Sequence, residues 1–160
     1  MILLTTSRRP SRQTRLIARE FSRVLPGARY LPRGTKSIWF LFSLALRFGL
    51  RSILVVENRE GRPGLLRFMM PVGGGLWREL EVEFTGFRLW KGRTPVSPTH
   101  IEPAAGGEEM ARELSAFLSL PVESRPGEPA VFVGRGEIFI WDGREKVGPE
   151  FVVSGWRVVL

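Results

Sequence analysis

The chain has 160 residues, of which 43% are hydrophobic and none is cysteine. This length and composition are typical of a single globular domain and argue against a disordered chain, and the missing cysteine excludes disulfides and thiolate metal sites. The net charge of +8 is unevenly distributed, because residues 1–51 carry 11 lysines and arginines against the single acid Glu20, a charge of +10, whereas residues 52–160 carry a charge of −2.

The first half of the chain alternates strands with helices. A helix is predicted from Ser11, its N-cap, to about Leu25, and Ser37 is expected to cap a second, apolar helix that stops at Gly49. The strands predicted around these helices are ILLTT, ARYL, SILVVE and LLRFMM, the last two joined by the turn NREGRPG. The resulting β-α-β-α-β-β order is typical of an α/β layer.

The apolar helix is the candidate for a membrane segment, and its length argues against that role. The stretch at residues 38–50 has 13 residues, whereas a membrane span needs about 20. A buried helix is therefore expected, with Trp39 and Phe40 in the core. No signal peptide is expected at the start of the sequence, since MILL is too short for the apolar core of one. A cytoplasmic protein is expected, in keeping with the missing cysteine.

The second half is richer in strands. In LWRELEVEFTGFRLWK, apolar residues alternate with Glu79, Glu81 and Glu83, and the alternation changes parity after Thr85, which predicts a hairpin or a β-bulge there. The segment TPVSPTHIEPAAGG is predicted to be a proline-rich connector that holds His100 in a loop. After it we expect an amphipathic helix, EEMARELSAFLSL, and four short strands, AVFVG, EIFIW, FVVSG and WRVVL.

The first helix has an arginine stripe along one side. At 100° per residue, Arg12, Arg15, Arg19 and Arg23 fall within about 80° of one another. The apolar residues of the opposite side, which should face inward, are Ile17, Phe21 and Val24. The alternative is that the arginine stripe binds no ligand and is only the solvated, charged face of the helix. Such faces usually mix both signs of charge, however, and here Glu20 alone is available and lies off the stripe.

The segment TSRRPSRQTR, which connects the first predicted strand to this helix, adds to the positive charge of the region. Arg8 and Arg9 precede the helix, whose free N–H groups and dipole favour an anion. Hydroxyl groups of the segment can donate to phosphate oxygens, and the next loop brings further cations. The residues expected to bind a phosphate backbone are Arg8, Arg9, Ser11, Arg12, Thr14, Arg15, Arg19, Arg33 and Lys36.

Catalysis is poorly supported by the sequence. His100 is the single histidine and Asp142 the single aspartate, and they lie in unrelated segments. A metal-dependent nuclease would need converging carboxylates. The three glutamates of the fifth predicted strand share one face, but with Arg78 and Arg88 nearby an exposed ion-pair surface is simpler. The GGG at residues 73–75 is expected to be a turn, because no Gly-Lys-Ser/Thr and no helix follow it. We expect no enzyme, no metal and no cofactor.

The order of these segments resembles the archaeal members of the Brix-domain family, which are ribosome-biogenesis proteins. The likeness covers residues 3–70, and beyond them the strand–helix order is merely compatible. The matching residues are Ser7, Arg8, Pro10, Ser11, Thr14, Arg33, Gly34, Gly61 and Pro63. Lysine is nearly absent, so any basic contact surface must be built from arginine. The scarcity of Asn, Gln and Cys is typical of heat-adapted proteins.

The resemblance implies a fold and a function. The fold would be α/β, one Brix-type domain over residues 1–160 with two similar halves, about 1–72 and 76–160. Each half would resemble the anticodon-binding domain of class II tRNA synthetases, with mixed sheets flanked by helices. The function would be non-catalytic binding of precursor ribosomal RNA, in contact with ribosomal or other assembly proteins, as a monomer and away from membranes. The alternatives are a protein-docking scaffold on ribosomal proteins and a tRNA-binding accessory module.

Overall fold

A computed structural model of the chain describes residues 2–90 and 96–159. The start of the predicted proline-rich connector, residues 94 and 95, lies outside the described residues. Within them, nine strands and three helices follow one another as β1 (Ile2–Thr6), α1 (Arg12–Val24), β2 (Arg29–Tyr30), α2 (Ile38–Arg47), β3 (Ser52–Arg59), β4 (Arg62–Gly73), β5 (Leu76–Arg88), β6 (His100–Pro103), α3 (Glu108–Leu118), β7 (Ala130–Val133), β8 (Glu137–Trp141) and β9 (Lys146–Val159).

The described strands form one mixed sheet in the order β2-β1-β3-β4-β5-β9-β8-β7-β6. β1 runs parallel to both β2 and β3, β6 runs parallel to β7, and the remaining neighbours are antiparallel. β5 and β9 meet in the middle of the sheet, so the last of the described strands pairs with the strand that follows β4. The α/β class predicted from the sequence is confirmed.

The helices lie on both faces of the sheet. α1 and α3 share one face and one hydrophobic cluster, in which Phe21 stacks on Phe151 with ring centroids 5.3 Å apart. α2 covers the other face, where Leu41 and Phe42 pack on β1, β3 and β4. In β1 the side chains alternate between the two clusters, since Leu4 joins the first and Leu3 the second.

α1 begins after the predicted N-cap residue, Ser11, and buries the predicted apolar side. The hydroxyl of Ser11 accepts a hydrogen bond from the backbone N–H of Thr14 at 3.1 Å, which satisfies one of the free donors of the first turn. Ile17, Phe21 and Val24 are buried, so the arginine stripe is turned outward. Ser37 caps α2 in the same manner, through the N–H of Phe40.

Several predictions about the fold are wrong. FVVSG and WRVVL belong to one long strand, β9, and the predicted connector contains a strand, β6. His100 lies in β6 and is fully buried, and hydrogen bonds with Thr99 and Glu102 satisfy its ring nitrogens there. Trp39 and Phe40 are about half exposed, at 48% and 49%, because Phe40 lies on the outer side of α2 and Trp39 at its margin, where it meets Trp77 edge-on.

The parity change in β5 is a β-bulge, as one of the two sequence alternatives predicted. The β5–β9 register shifts between Glu83 and Phe84 and again between Phe84 and Gly86. The glycines at residues 73–75 form the turn between β4 and β5, also as predicted. No helix in the described ranges is long and apolar enough to cross a membrane.

Candidate nucleic-acid interface

The loop between β1 and α1, residues 7–11, is attached to the end of β3 by Asn58. The side-chain amide of Asn58 donates to the carbonyl oxygen of Arg9 at 3.1 Å, and its Oδ1 accepts from the N–H of Ser11 at 3.3 Å. The backbone N–H of Asn58 donates to the hydroxyl of Ser7 at 3.2 Å. The loop therefore has a defined shape, including the left-handed backbone of Arg9, whose φ is 54°.

Exposed arginines continue from this loop along α1. Arg8, Arg9, Arg12, Arg15 and Arg19 all have exposed side chains. Within the part of the chain that the structure describes, none of these five has an ion pair with a carboxylate. We call these five residues the arginine track. Their charges are open to an anionic ligand, and the last residue of the stripe, Arg23, pairs with Glu20 at 3.3 Å.

Two residues of the track have contacts that orient their side chains. The guanidinium of Arg15 donates to the carbonyl oxygen of Pro10 at 3.4 Å, which turns it toward the loop. The guanidinium of Arg19 lies 5.6 Å from the ring centroid of Tyr30 in β2. A cation over an aromatic ring retains its charge and its outer N–H donors. These contacts therefore orient both side chains and leave their positive charges unpaired within the described residues.

The structure corrects the expected role of Thr14 and Arg33. Thr14 is fully buried, and its hydroxyl donates to Oδ1 of Asn58. Arg33 is 8% exposed and donates to the carbonyl oxygens of Lys36 at 2.7 Å and Thr6 at 3.1 Å. Neither side chain is open to a ligand, because each is buried and its polar atoms form the hydrogen bonds that hold the loops in place.

The buried Arg33 nevertheless contributes to the local charge. Its pKa lies below the ordinary arginine value because burial desolvates the guanidinium and because the positive charge of Arg8 lies nearby. The loop that follows β2 therefore borders the first residue of the arginine track. Lys36, half-buried on that loop, donates from Nζ to the carbonyl oxygen of Pro32 at 3.0 Å. Ser11 is also half-buried and spends its hydroxyl on the helix cap.

Asn58 is the site residue that sequence reasoning missed. It is the single asparagine of the chain and follows the apolar run SILVVE at the end of β3. The sequence contains one signal for its role. Asn58 is a polar amide directly after a predicted buried strand, and another part of the chain has a Ser- and Thr-rich loop to which such an amide could bond. Its partners lie more than 40 residues away in sequence, so the signal becomes specific only when the parallel pairing of β1 and β3 is known.

The carboxylates of β5 are engaged in ion pairs on the α2 face of the sheet. Glu79 is 5% exposed and pairs with Arg67 at 2.8 Å, and Arg67 also pairs with Glu57 at 2.7 Å. Glu81 pairs with Arg157 at 2.9 Å, and Glu83 with Arg59 at 3.7 Å. The expected ion-pair surface exists, but its arginines are not the two predicted from sequence, and Glu79 is buried.

The network around Arg67 fixes the charge state of Glu79. Burial raises the pKa of Glu79, but the hydrogen bonds with Arg67, Glu81 and Trp77 and the charge of Arg67 together outweigh it, so the pKa lies below the ordinary value of 4.5. For Arg67, burial lowers the pKa while bonds to Glu79 and Glu57 raise it above its usual range. Across residues 2–90 and 96–159, no group of three or more His, Cys, Asp or Glu side chains could hold a metal ion.

The chain is similar in sequence to several curated proteins. A "probable Brix domain-containing ribosomal biogenesis protein" of Methanopyrus kandleri is 30% identical over 136 residues, which cover 78% of this chain and 69% of that protein. A protein of the same description from Pyrococcus horikoshii is 38% identical over 69 residues, 43% of this chain and 31% of that one. The U3 small nucleolar ribonucleoprotein protein IMP4 of Bos taurus is 34% identical over 73 residues, 45% of this chain and 25% of that protein.

Two crystal structures have the same fold. A probable ribosomal biogenesis protein from Aeropyrum pernix K1 aligns with a TM-score of 0.81 at 24% identity and covers 95% of this chain and 94% of its own. Mil, an archaeal Imp4-like protein, aligns with a TM-score of 0.71 at 23% identity, over 98% and 99% of the two chains. No family model matches the sequence.

Proposed function

The chain belongs to the Brix domain-containing ribosomal biogenesis proteins, and we propose that in this role it binds precursor ribosomal RNA without catalysing a reaction. One observation carries the proposal: within the described residues, the arginine track presents five exposed guanidinium groups without a carboxylate partner, two on the loop that Asn58 holds in place and three on α1. Arginine presents a planar fork that bonds phosphate oxygens two at a time, and a row of such groups fits a polyanion.

The mode of binding would be recognition of backbone and shape. Phosphate contacts fix the register of a nucleic acid without reading its sequence. Arg8 and Arg9 would bind near the N-terminus of α1, and Arg12, Arg15 and Arg19 would continue the contact along the helix. We expect the protein to work in the cytoplasm as a monomer and to hold a folding intermediate of the RNA in place.

The experiment is affinity purification of the tagged protein from cells, with and without RNase, followed by sequencing of the bound RNA. The proposal expects fragments of precursor ribosomal RNA, and it expects a variant with Arg12 and Arg15 changed to Ala to lose most of them. A matched variant with Arg112→Ala and Arg144→Ala has the same net charge as the Arg12 and Arg15 variant. It should retain the bound RNA fragments. Enrichment of tRNA would instead favour a tRNA-binding accessory module.

A second candidate function, a protein-docking scaffold on ribosomal proteins, is favoured by the outer side of α2. Trp39, Phe40 and Leu46 are exposed there at 48%, 49% and 70%. A cluster of large apolar side chains on a helix face is typical of contact with another protein. In the same purification, ribosomal proteins that stay bound after RNase treatment would favour this function over RNA binding.

We also propose that the single domain consists of two similar halves, about 1–72 and 76–160, each with the plan of an anticodon-binding domain. The strand pairing supports such a twofold plan when β5 is counted with the first half: β1, β3, β4 and β5 then follow the same parallel-then-antiparallel pattern as β6, β7, β8 and β9. The two series run outward from the central β5–β9 pair. Because α1 and α3 share one hydrophobic cluster, we expect a single cooperative unfolding transition.

A further inference from the structure

A cleft lies beside the first turn of α1, between the β3–β4 turn and the bulged part of β5. Its volume of about 960 Å³ is larger than one nucleoside needs. The charged lining residues, which are Arg59, Glu60, Arg62 and Glu83, are exposed and form its rim, whereas the two phenylalanines of the lining are buried or half-buried. Nothing in the phosphate-binding role of the arginine track uses this space.

The interior of the cleft has an anchored aromatic wall. Phe87 is half-buried and meets Phe84 edge-on, with ring centroids 6.3 Å apart. Phe84 in turn contacts Phe151 at 4.9 Å, and Phe151 stacks on Phe21 of α1. The exposed part of Phe87 is therefore the end of a row of packed rings, and such a fixed aromatic surface is what an unpaired base stacks on.

Two bulged residues add hydroxyl groups to the same space. The register of β5 and β9 skips Thr85 on one strand and Ser154 on the other, and both exposed side chains line the cleft. β-Bulges commonly redirect a side chain toward a binding site. Gln13, on the first turn of α1, adds an amide. Hydroxyls and an amide beside an aromatic ring can bond to the polar edge of a base.

The charges of the rim cancel, since two arginines face two glutamates and Arg59 pairs with Glu83 at 3.7 Å. A neutral cleft suits an uncharged base better than a phosphate. At the rim, the aliphatic part of the Arg59 side chain packs directly over Gly64. A Cβ at residue 64 would lie 2.8 Å from the Cβ and Cγ of Arg59, so only glycine leaves room for this packing. The rim thus has a fixed form.

The cleft adjoins the arginine track at two points. Gln13 follows Arg12 in α1, and Arg59 follows Asn58, whose side chain holds the carbonyl of Arg9. From the track, a nucleotide can therefore reach the cleft with its base while its phosphate remains on the arginines. We propose that the cleft receives an unpaired base of the single-stranded RNA bound by the track, an inference that rests on the proposed function.

The test compares the affinities of a short unstructured RNA and an abasic ribose-phosphate strand of the same length. The wild-type protein should bind the base-bearing strand about five-fold more tightly or better, since stacking of one base contributes at least that much. Phe87→Leu, which removes the aromatic surface of the cleft, should remove this difference and leave the affinity for the abasic strand unchanged. Phe132→Leu, the same change at a half-buried ring outside the lining, should retain the difference.

The outcomes separate this inference from the proposed function. Equal affinities of the wild-type protein for both strands, or a difference that survives in Phe87→Leu, would contradict base binding in the cleft and leave phosphate binding by the track intact. Failure of the wild-type protein to bind either strand would overturn both. If Phe87→Leu does not fold, the double change of the exposed residues Thr85 and Ser154 to Ala removes both hydroxyl groups of the cleft and should reduce the difference.

Discussion

The hydroxyl of Thr14 donates a hydrogen bond to the side-chain oxygen of Asn58, 44 residues further along the chain. The same oxygen accepts the N–H of Ser11, and the amide nitrogen of Asn58 donates to Arg9. One side chain at the end of β3 therefore connects the first turn of α1 with the loop that starts the arginine track. The shape of the track depends on a residue that carries no charge.

Asn58→Ala is expected to lower both stability and RNA affinity without changing the net charge. The substitution leaves polar groups of the loop without partners, at a cost of about 1–3 kcal/mol in the free energy of unfolding. The measurements are urea denaturation and RNA binding at fixed salt. Thr14→Ser, which keeps the hydroxyl, is the control. If Asn58→Ala binds RNA as the wild type does, the track does not need its loop to be held.

Phe21→Ala tests the placement of α1 on the sheet. Phe21 is 3% exposed and stacks on Phe151, so the truncation should reduce the free energy of unfolding by about 3–5 kcal/mol. Arg12→Ala, on the outer side of the same helix, should cost less than about 1 kcal/mol. Thermal or chemical denaturation of the two variants decides the matter. Similar losses would mean that α1 does not bury its apolar side.

Glu79→Gln tests the buried ion pair with Arg67 and its dependence on pH. At neutral pH the loss of the carboxylate should cost about 1–3 kcal/mol, because it leaves Arg67 with an unpaired donor. The pKa of Glu79 is depressed on folding, so its contribution is present above about pH 4.5 and is lost as the pH falls further. The stability difference between wild type and variant should therefore shrink in acid.

The control for this prediction is Glu83→Gln on the same strand. Glu83 pairs with Arg59 at 3.7 Å, and both side chains are more than half exposed. An exposed pair contributes less than about 1 kcal/mol. A difference between wild type and Glu79→Gln that stays constant from neutral to acid pH would show that the carboxylate contributes no charge-dependent stability.

Much of the fold could be predicted from the sequence, because local patterns determine it. The caps of α1 and α2 followed from Ser11 and Ser37, and the buried side of α1 followed from helical spacing. The errors lie where tertiary contacts override local patterns. His100 lies among prolines and looked like a loop residue, yet Glu102 and Thr99 satisfy its ring inside a strand. Trp39 and Phe40 are apolar and yet exposed, which hydropathy cannot predict.

The candidate site could be predicted in part. The outward direction of Arg12, Arg15 and Arg19 followed from spacing along one helix. The burial of Thr14 and Arg33 could not be predicted, because each depends on partners from a different segment. The cleft was also missed, since it exists only where the bulges of β5 and β9 meet α1 and the β3–β4 turn. Contacts of this kind have no signature in the local sequence.

The change of Arg12 and Arg15 to Ala tests the arginine track by its response to salt. Each phosphate that an arginine neutralises releases bound counterions, so about four contacts should give a log–log slope near −3 on single-stranded RNA. Removing two arginines should flatten the slope by about one unit or slightly more, and should weaken binding to a similar degree for different RNA sequences. Stability should hardly change, since exposed charges contribute little to it.

The matched control replaces Arg112 and Arg144, which are exposed on α3 and on the β8–β9 turn, so both double variants lose the same charge. If binding depends on the track, the control should retain both the affinity and the slope of the wild type. An equal loss in the two variants would mean that net charge alone attracts RNA. If neither variant weakens binding, the stripe on α1 is a solvated face, and the exposed side of α2 becomes the better candidate for the functional surface.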